Sequence, residues 1–217
     1  MTSDAARVAV VDYGAGNLVS IEQALAAAGA TVHRAVAAED IGDVDLLVVP
    51  GVGAALPAMT RLAAAGFVEP VRAWIADDRP FLGICLGLQL LFDGSDEDGA
   101  RTLGVLPGRT VRLDGAPTLP HIGWNQVSLR RPHPAFAGIA DDADFYFVHS
   151  YVGRPDPTAG DAVLADTEHG VRFVSAVARG RLLGVQFHPE RSGESGLRLV
   201  ENVVALARRP VVEWSAA

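Results

Sequence analysis

The chain has 217 residues, of which 49% are hydrophobic and 20% charged, enough apolar material for one sizeable core, so a single domain over residues 1–217 is expected. Its net charge of −8, with no cluster of basic residues, argues against nucleic acid or an anionic membrane surface as the main partner. One cysteine excludes an internal disulfide and points to a reducing compartment, and no apolar stretch reaches the roughly 18 residues that a membrane span requires, so a soluble, cytoplasmic protein is expected.

Strands and helices alternate through the first half. Residues 8–11 are a short apolar run ending at Asp12, followed by the turn Gly14-Ala15-Gly16-Asn17 and a helical pattern over 18–28 that stops at Gly29. Residues 31–36 and 46–49 read as two more strands, the second closed by Pro50-Gly51-Val52-Gly53. Helical material then fills 54–77, broken near Gly66, and a strand over 81–84 follows. Buried runs separated by helices predict a parallel sheet covered on both faces, with functional groups at the carboxyl ends of its strands.

After Asp93 the pattern changes. An acidic run over 93–98 reads as a solvated loop, and shorter strand-like runs over 109–113, 124–129, 144–148, 170–177 and 182–187 follow, with Gly, Pro and Asp turns between them. They predict an antiparallel extension. The last element is a helix over 196–207, with Leu197, Val200, Val203, Val204 and Ala207 on one face.

The chemistry begins at Phe81-Leu82-Gly83-Ile84-Cys85-Leu86-Gly87-Leu88-Gln89, where the lone cysteine stands between two glycines as a strand turns into a helix. This is the layout of a nucleophile elbow, which exposes the side chain at the top of a sheet against a helix N-terminus that favours thiolate over thiol. A base and an orienting carboxylate stand in Val185-Gln186-Phe187-His188-Pro189-Glu190. Pro189 is expected to hold His188 extended, so that His188 and Glu190, two apart, leave the backbone on the same side. A carboxylate on one ring nitrogen would fix the tautomer while the other nitrogen meets the sulfur. Attack on an amide carbonyl also needs N–H donors for the developing oxyanion, each worth about 3–4 kcal/mol when well aimed. The N–H of Leu86 is one candidate, and the 50–53 turn offers a second.

Those segments, together with Val11-Asp12-Tyr13-Gly14-Ala15-Gly16-Asn17-Leu18, Pro120-His121-Ile122-Gly123-Trp124-Asn125 and Tyr146-Phe147-Val148-His149-Ser150-Tyr151, resemble the class I, triad-type glutamine amidotransferases over nearly the whole chain. The likeness is greatest to the glutaminase subunits of imidazole glycerol phosphate synthases of histidine biosynthesis. The resemblance implies an α/β, flavodoxin-like fold with a mostly parallel sheet, helices on both faces and an antiparallel extension in the second half. It implies Cys85 as nucleophile, His188 as general base and acid, and Glu190 as the residue orienting His188. Leu86 and the Val52-Gly53 peptide would form the oxyanion hole, with the Gly51 to Gly53 segment as a switch, while Gly51, Gln89, Glu97, Ser150 and Tyr151 would bind glutamine. Ammonia released from glutamine would pass to a (β/α)8-barrel cyclase in a heterodimer, with Asn17, Trp124, Tyr146 and Arg191 near the partner. No cofactor is implied, and no spacing of His with Cys or acids suggests a metal site.

Other residues read more blandly. His121 and His149 are expected to be structural, and His33, His133 and His169, in polar or turn segments, to be solvated. Thr118 and Leu119 stand where the family often carries a basic residue, and Arg191 replaces its more usual lysine, a planar fork for a point donor. Two other readings stay open. One keeps the triad but changes the partner or substrate: the glutaminase of vitamin B6 synthesis, the small subunit of anthranilate or aminodeoxychorismate synthase, or a γ-glutamyl hydrolase. The other is a catalytically silent module of the same fold.

Overall fold

Side chains alternate between two buried faces along the first strand, β1 (Arg7–Val11): Val8 and Val10 join one apolar cluster, Ala9 and Val11 the other. A computed structural model describes residues 5–16, 18–209 and 213–214 of the chain. It continues through α1 (Val19–Ala27), β2 (Thr31–Ala35), β3 (Leu46–Gly51), α2 (Ala55–Ala64), α3 (Val68–Ala76), β4 (Phe81–Cys85) and the single turn α4 (Leu86–Gln89). Then come β5 (Gly94–Ser95), β6 (Gly108–Arg112), β7 (His121–Leu129), β8 (Ala143–His149), β9 (Tyr151–Pro155), β10 (Val163–Glu168), β11 (Arg172–Arg179), β12 (Leu182–Val185) and α5 (Gly193–Ala207).

The main sheet has nine strands in the order β2-β1-β3-β4-β12-β11-β10-β7-β8. Its first five strands pair in parallel and the rest antiparallel. Ile21 and Leu25 of α1 and Leu199, Val200 and Val203 of α5 pack into the cluster that holds Val8 and Val10. Ala58 and Leu62 of α2 and Val71, Trp74 and Ile75 of α3 pack into the other. With both faces covered, the central strands are uninterrupted apolar runs, and every residue of β3 and β4 is buried. α1 ends where expected, with Gly29 in the left-handed region at φ +84°.

The mostly parallel sheet with an antiparallel second half is the architecture expected from the sequence, with three differences. The sequence pattern groups the run over 182–187 with the antiparallel strands, yet β12 lies parallel to β4 and antiparallel to β11. It is the seam between the two halves of the sheet. Two strands, β9 and β10, carry no clear alternating pattern. In β9, Gly153 stands where any side chain would overlap the Phe92 ring, and β10 ends in the polar residues Asp166, Thr167 and Glu168. The first half of the acidic run is not a free loop either, because Gly94 and Ser95 are buried in a second, three-stranded sheet of order β5-β6-β9.

Candidate active site

Cys85 closes β4 with φ +54° and ψ −107°, backbone angles that a residue with a side chain adopts only when its surroundings impose them, at a cost of about 1–3 kcal/mol. The surroundings are visible. α4 folds back so tightly that a Cβ on Gly87 would overlap the carbonyl oxygen of Val49 in β3, and one on Gly83 would lie 2.8 Å from the carbonyl oxygen of Gly87. Both glycines of the elbow are therefore demanded by backbone crowding, and the crowding turns the Cys85 side chain out of the ladder. Cys85 is 5% exposed and lines a cavity of about 300 Å³.

Register brings the histidine to the same edge. Val185 pairs with Ile84, so the residues that follow β12 emerge beside those that follow β4. His188 is extended at φ −102°, as Pro189 requires, but residues Pro189–Arg191 form a 3₁₀ turn, closed by the Arg191 N–H on the His188 carbonyl at 3.0 Å. The expectation of a wholly extended 188–190 segment is thus corrected. The turn, rather than strand alternation, carries Glu190 back to the ring, where the His188 Nδ1 to Glu190 Oε1 distance is 2.8 Å. Buried Ser192 clamps the segment: its hydroxyl donates to the His188 carbonyl at 2.6 Å and accepts from the Tyr146 N–H at 2.9 Å, while the His188 N–H bonds the Tyr146 carbonyl at 2.9 Å.

With Nδ1 engaged, Nε2 of His188 is buried and without a hydrogen-bond partner, as is Oε2 of Glu190. Burial, the largest single influence, would lower the His188 pKa. Interaction with Cys85 and then with Glu190 outweighs it and raises the value from 6.5 to about 10. The direction of the shift favours the protonated, cationic ring.

The same cavity is lined by Val52, Gly53, Leu86, Gln89, Glu97, Ser150 and Tyr151, so it gathers the expected oxyanion and glutamine-binding residues except Gly51. Gly51 pairs with Cys85 in the β3–β4 ladder instead. A Cβ there would overlap the hydroxyl of Tyr13, which donates to the Pro50 carbonyl at 3.0 Å. Gly53 has φ +91°, in the left-handed region. Glu97 stands at the exposed rim, where partial burial and then the charge of Asp98 raise its pKa.

Gln89 is already engaged. Its side-chain N–H₂ donates to the Tyr151 carbonyl at 2.7 Å and to Gln186 Oε1 at 3.1 Å, and Gln186 Nε2 in turn donates to Cys85 Sγ at 3.6 Å. Gln186 was not singled out from the sequence. Its only signal there is an amide inside the otherwise apolar run 182–187.

Of the expected partner-facing residues, Asn17 lies outside the described residues. Trp124 is 56% exposed beside Ile122 at 60%, and its ring stands edge-on to Tyr146 at 6.1 Å between centroids. The Arg191 guanidinium lies 4.1 Å over the Tyr146 ring. His121 and His149 are buried and bonded to each other, Nδ1 to Nε2 at 3.0 Å. Burial first, and neighbouring histidines next, depress His121 to about 4 and His149 to about 3. His133 is buried rather than solvated, its Nδ1 accepting from the Ala135 N–H at 3.2 Å, and burial lowers it to about 4. A larger cavity of about 530 Å³ elsewhere is ringed by Arg112, Arg130, Arg154 and Arg172 and contains none of the expected site residues. Among the described residues no group of three or more His, Cys, Asp or Glu is disposed to hold a metal.

The family described as "Glutamine amidotransferase class-I" matches residues 9–206. The imidazole glycerol phosphate synthase subunit HisH of Synechococcus sp. (strain JA-3-3Ab) is 47% identical over 210 residues, which cover 94% of this chain and 96% of the relative. The same-named subunit of Symbiobacterium thermophilum is 48% identical over 204 residues, 91% of this chain and 92% of that one. Among solved structures, a crystal structure of a glutamine amidotransferase superposes with a TM-score of 0.71 at 21% identity over 92% of this chain and 98% of that chain. PurLQS from Thermotoga maritima superposes at 0.72 and 16% identity over 94% and 100%. At these identities the structural likeness is one of fold.

Proposed function

The chain belongs to the class-I glutamine amidotransferase family, and from that premise we propose that it is the glutaminase subunit of an imidazole glycerol phosphate synthase. The observation that supports the reading is a paired His188 and Glu190, 2.8 Å apart, whose ring interacts with Cys85, the one thiol, which itself lines a cavity large enough for an amino acid. In the reaction, the Cys85 thiolate attacks the side-chain carbonyl carbon of glutamine. The resulting oxyanion is held by the N–H of Leu86 and by the Val52–Gly53 peptide. His188 delivers a proton from Nε2 to the departing nitrogen, ammonia leaves, and a γ-glutamyl thioester remains on Cys85. His188, now neutral, removes a proton from water as it attacks the thioester, and glutamate is released.

Glu97 suits the substrate's ammonium group, and Ser150 and Tyr151 complete the head-group site, with Gln89 behind them. The relatives are each named as one subunit of a synthase, which implies a second subunit to consume the ammonia. We take that partner to be a (β/α)8-barrel cyclase, docked on the Trp124, Tyr146 and Arg191 surface, since ammonia set free in neutral water is protonated and loses its nucleophilicity. No helix among the described residues is long and apolar enough to cross a membrane, and the cytoplasm, where glutamine is supplied, is the compartment we assign.

The test is synthesis by the reconstituted pair. Cys85→Ala is expected to abolish glutamine-dependent product while leaving synthesis from added ammonium salts unchanged; glutamine-driven product surviving the substitution would overturn the assignment. Glutamine hydrolysis by the unaltered chain is expected to be slow alone and to rise strongly with the cyclase and its ligand.

A further inference from the structure

Gln186 is 0% exposed, and a buried amide is tolerated only where its polar atoms are bonded. Its orientation follows from a group that has no choice. The Tyr151 carbonyl can only accept, so the side-chain nitrogen of Gln89, 2.7 Å away, must be the donor. The same nitrogen lies 3.1 Å from the Gln186 side chain, which must therefore present its oxygen to Gln89. Its N–H₂ is left facing Cys85 Sγ at 3.6 Å, within reach for a sulfur acceptor. The reverse orientation would set two N–H₂ groups against each other and an oxygen against the sulfur lone pairs.

We infer that Gln186 is a further catalytic residue: its side-chain N–H bonds the nucleophilic sulfur, and through Gln89 it ties that sulfur to the backbone of the substrate cavity. This deepens the glutaminase reading and rests on it. A thiolate accepts such a bond far better than a thiol, so the contact favours the reactive form and fixes the direction in which Sγ points. His188, two residues on, also interacts with Cys85, so one segment supplies both Gln186 and His188 to the nucleophile. Because Tyr151 and Gln89 both line the cavity, movement on filling the site is passed to Sγ through two hydrogen bonds from Gln89 and three from Tyr151.

The experiment uses the full chain, without glutamine, and follows the alkylation rate of Cys85 by iodoacetamide against pH in Gln186→Met and Gln186→Glu, with circular dichroism as the check on folding. Met keeps length and volume without a donor, and Glu keeps the shape while replacing the side-chain N–H₂ with oxygen, so the two variants perturb the fold in different ways. The alkylation profile is expected to move up by about one pH unit in the Met variant. With the partner subunit present, kcat for glutamine hydrolysis should fall by about tenfold or more. A folded variant whose alkylation profile superimposes on that of the parent overturns the inference. Alkylation needs neither glutamine nor a partner, so a parent chain that alkylates normally yet never hydrolyses glutamine would sink the functional reading instead.

Discussion

One carboxylate oxygen of Glu190 accepts from His188 Nδ1, and the other is buried without a partner, so the acid is dedicated to the ring. Glu190→Gln keeps the outline but removes the charge and leaves either an N–H₂ or a neutral oxygen against Nδ1. Since Glu190 is among the groups that raise the His188 pKa, the substitution should lower it and loosen the ring. We expect kcat for glutamine hydrolysis to fall by about 10²- to 10⁴-fold with a much smaller change in KM, measured by glutamate release. The sign of the pH effect is set by the raised value. The contribution of His188 to stability is complete below pH 6.5 and is lost as pH rises through about 10, so Tm should decline over that window in the parent and less steeply in the variant.

The elbow is a property of β3, β4 and α4 together. Gly87→Ala would drive a methyl into the Val49 carbonyl, a backbone atom that moves only if β3 moves, and should cost about 2–4 kcal/mol, read as a lower urea midpoint with unchanged slope. That pair of glycines flanking a cysteine was legible in the sequence because only one arrangement asks for both. The strands around it were legible too, since burial on both faces leaves runs such as Phe81-Leu82-Gly83-Ile84 without a polar interruption. β9 and β10 were not: Gly153 answers to a Phe92 ring from a distant segment, and no local pattern records that. The 3₁₀ turn at Pro189 escaped for a related reason, because the Ser192 hydroxyl that clamps it is itself anchored by the distant Tyr146 backbone. Gln186 escaped because an amide in a strand does not say which atom it faces; that depends on the Val185–Ile84 register and on Gln89 one turn beyond Cys85.

At the scale of the whole molecule, the exposed Trp124 and Ile122, with Arg191 stacked on Tyr146, form an aromatic and basic patch on an acidic protein. Anchors of a protein interface commonly look like this. Trp124→Ala should weaken association with the cyclase by about tenfold or more, measured by titration of one subunit into the other, and should leave the Tm of the isolated chain nearly unchanged because the ring is half solvated. Arg191 and Glu190 share one three-residue turn, so a partner pressing on the first also presses on the second.

The place of β12 between β4 and β11 has a consequence for biosynthesis. The ribosome delivers β4 long before its neighbour, and until residue 185 has emerged, one flank of an entirely apolar strand offers bare N–H and C=O groups to any other chain nearby. A nascent chain stalled or cleaved within that interval would be a sticky half-sheet rather than a slower enzyme.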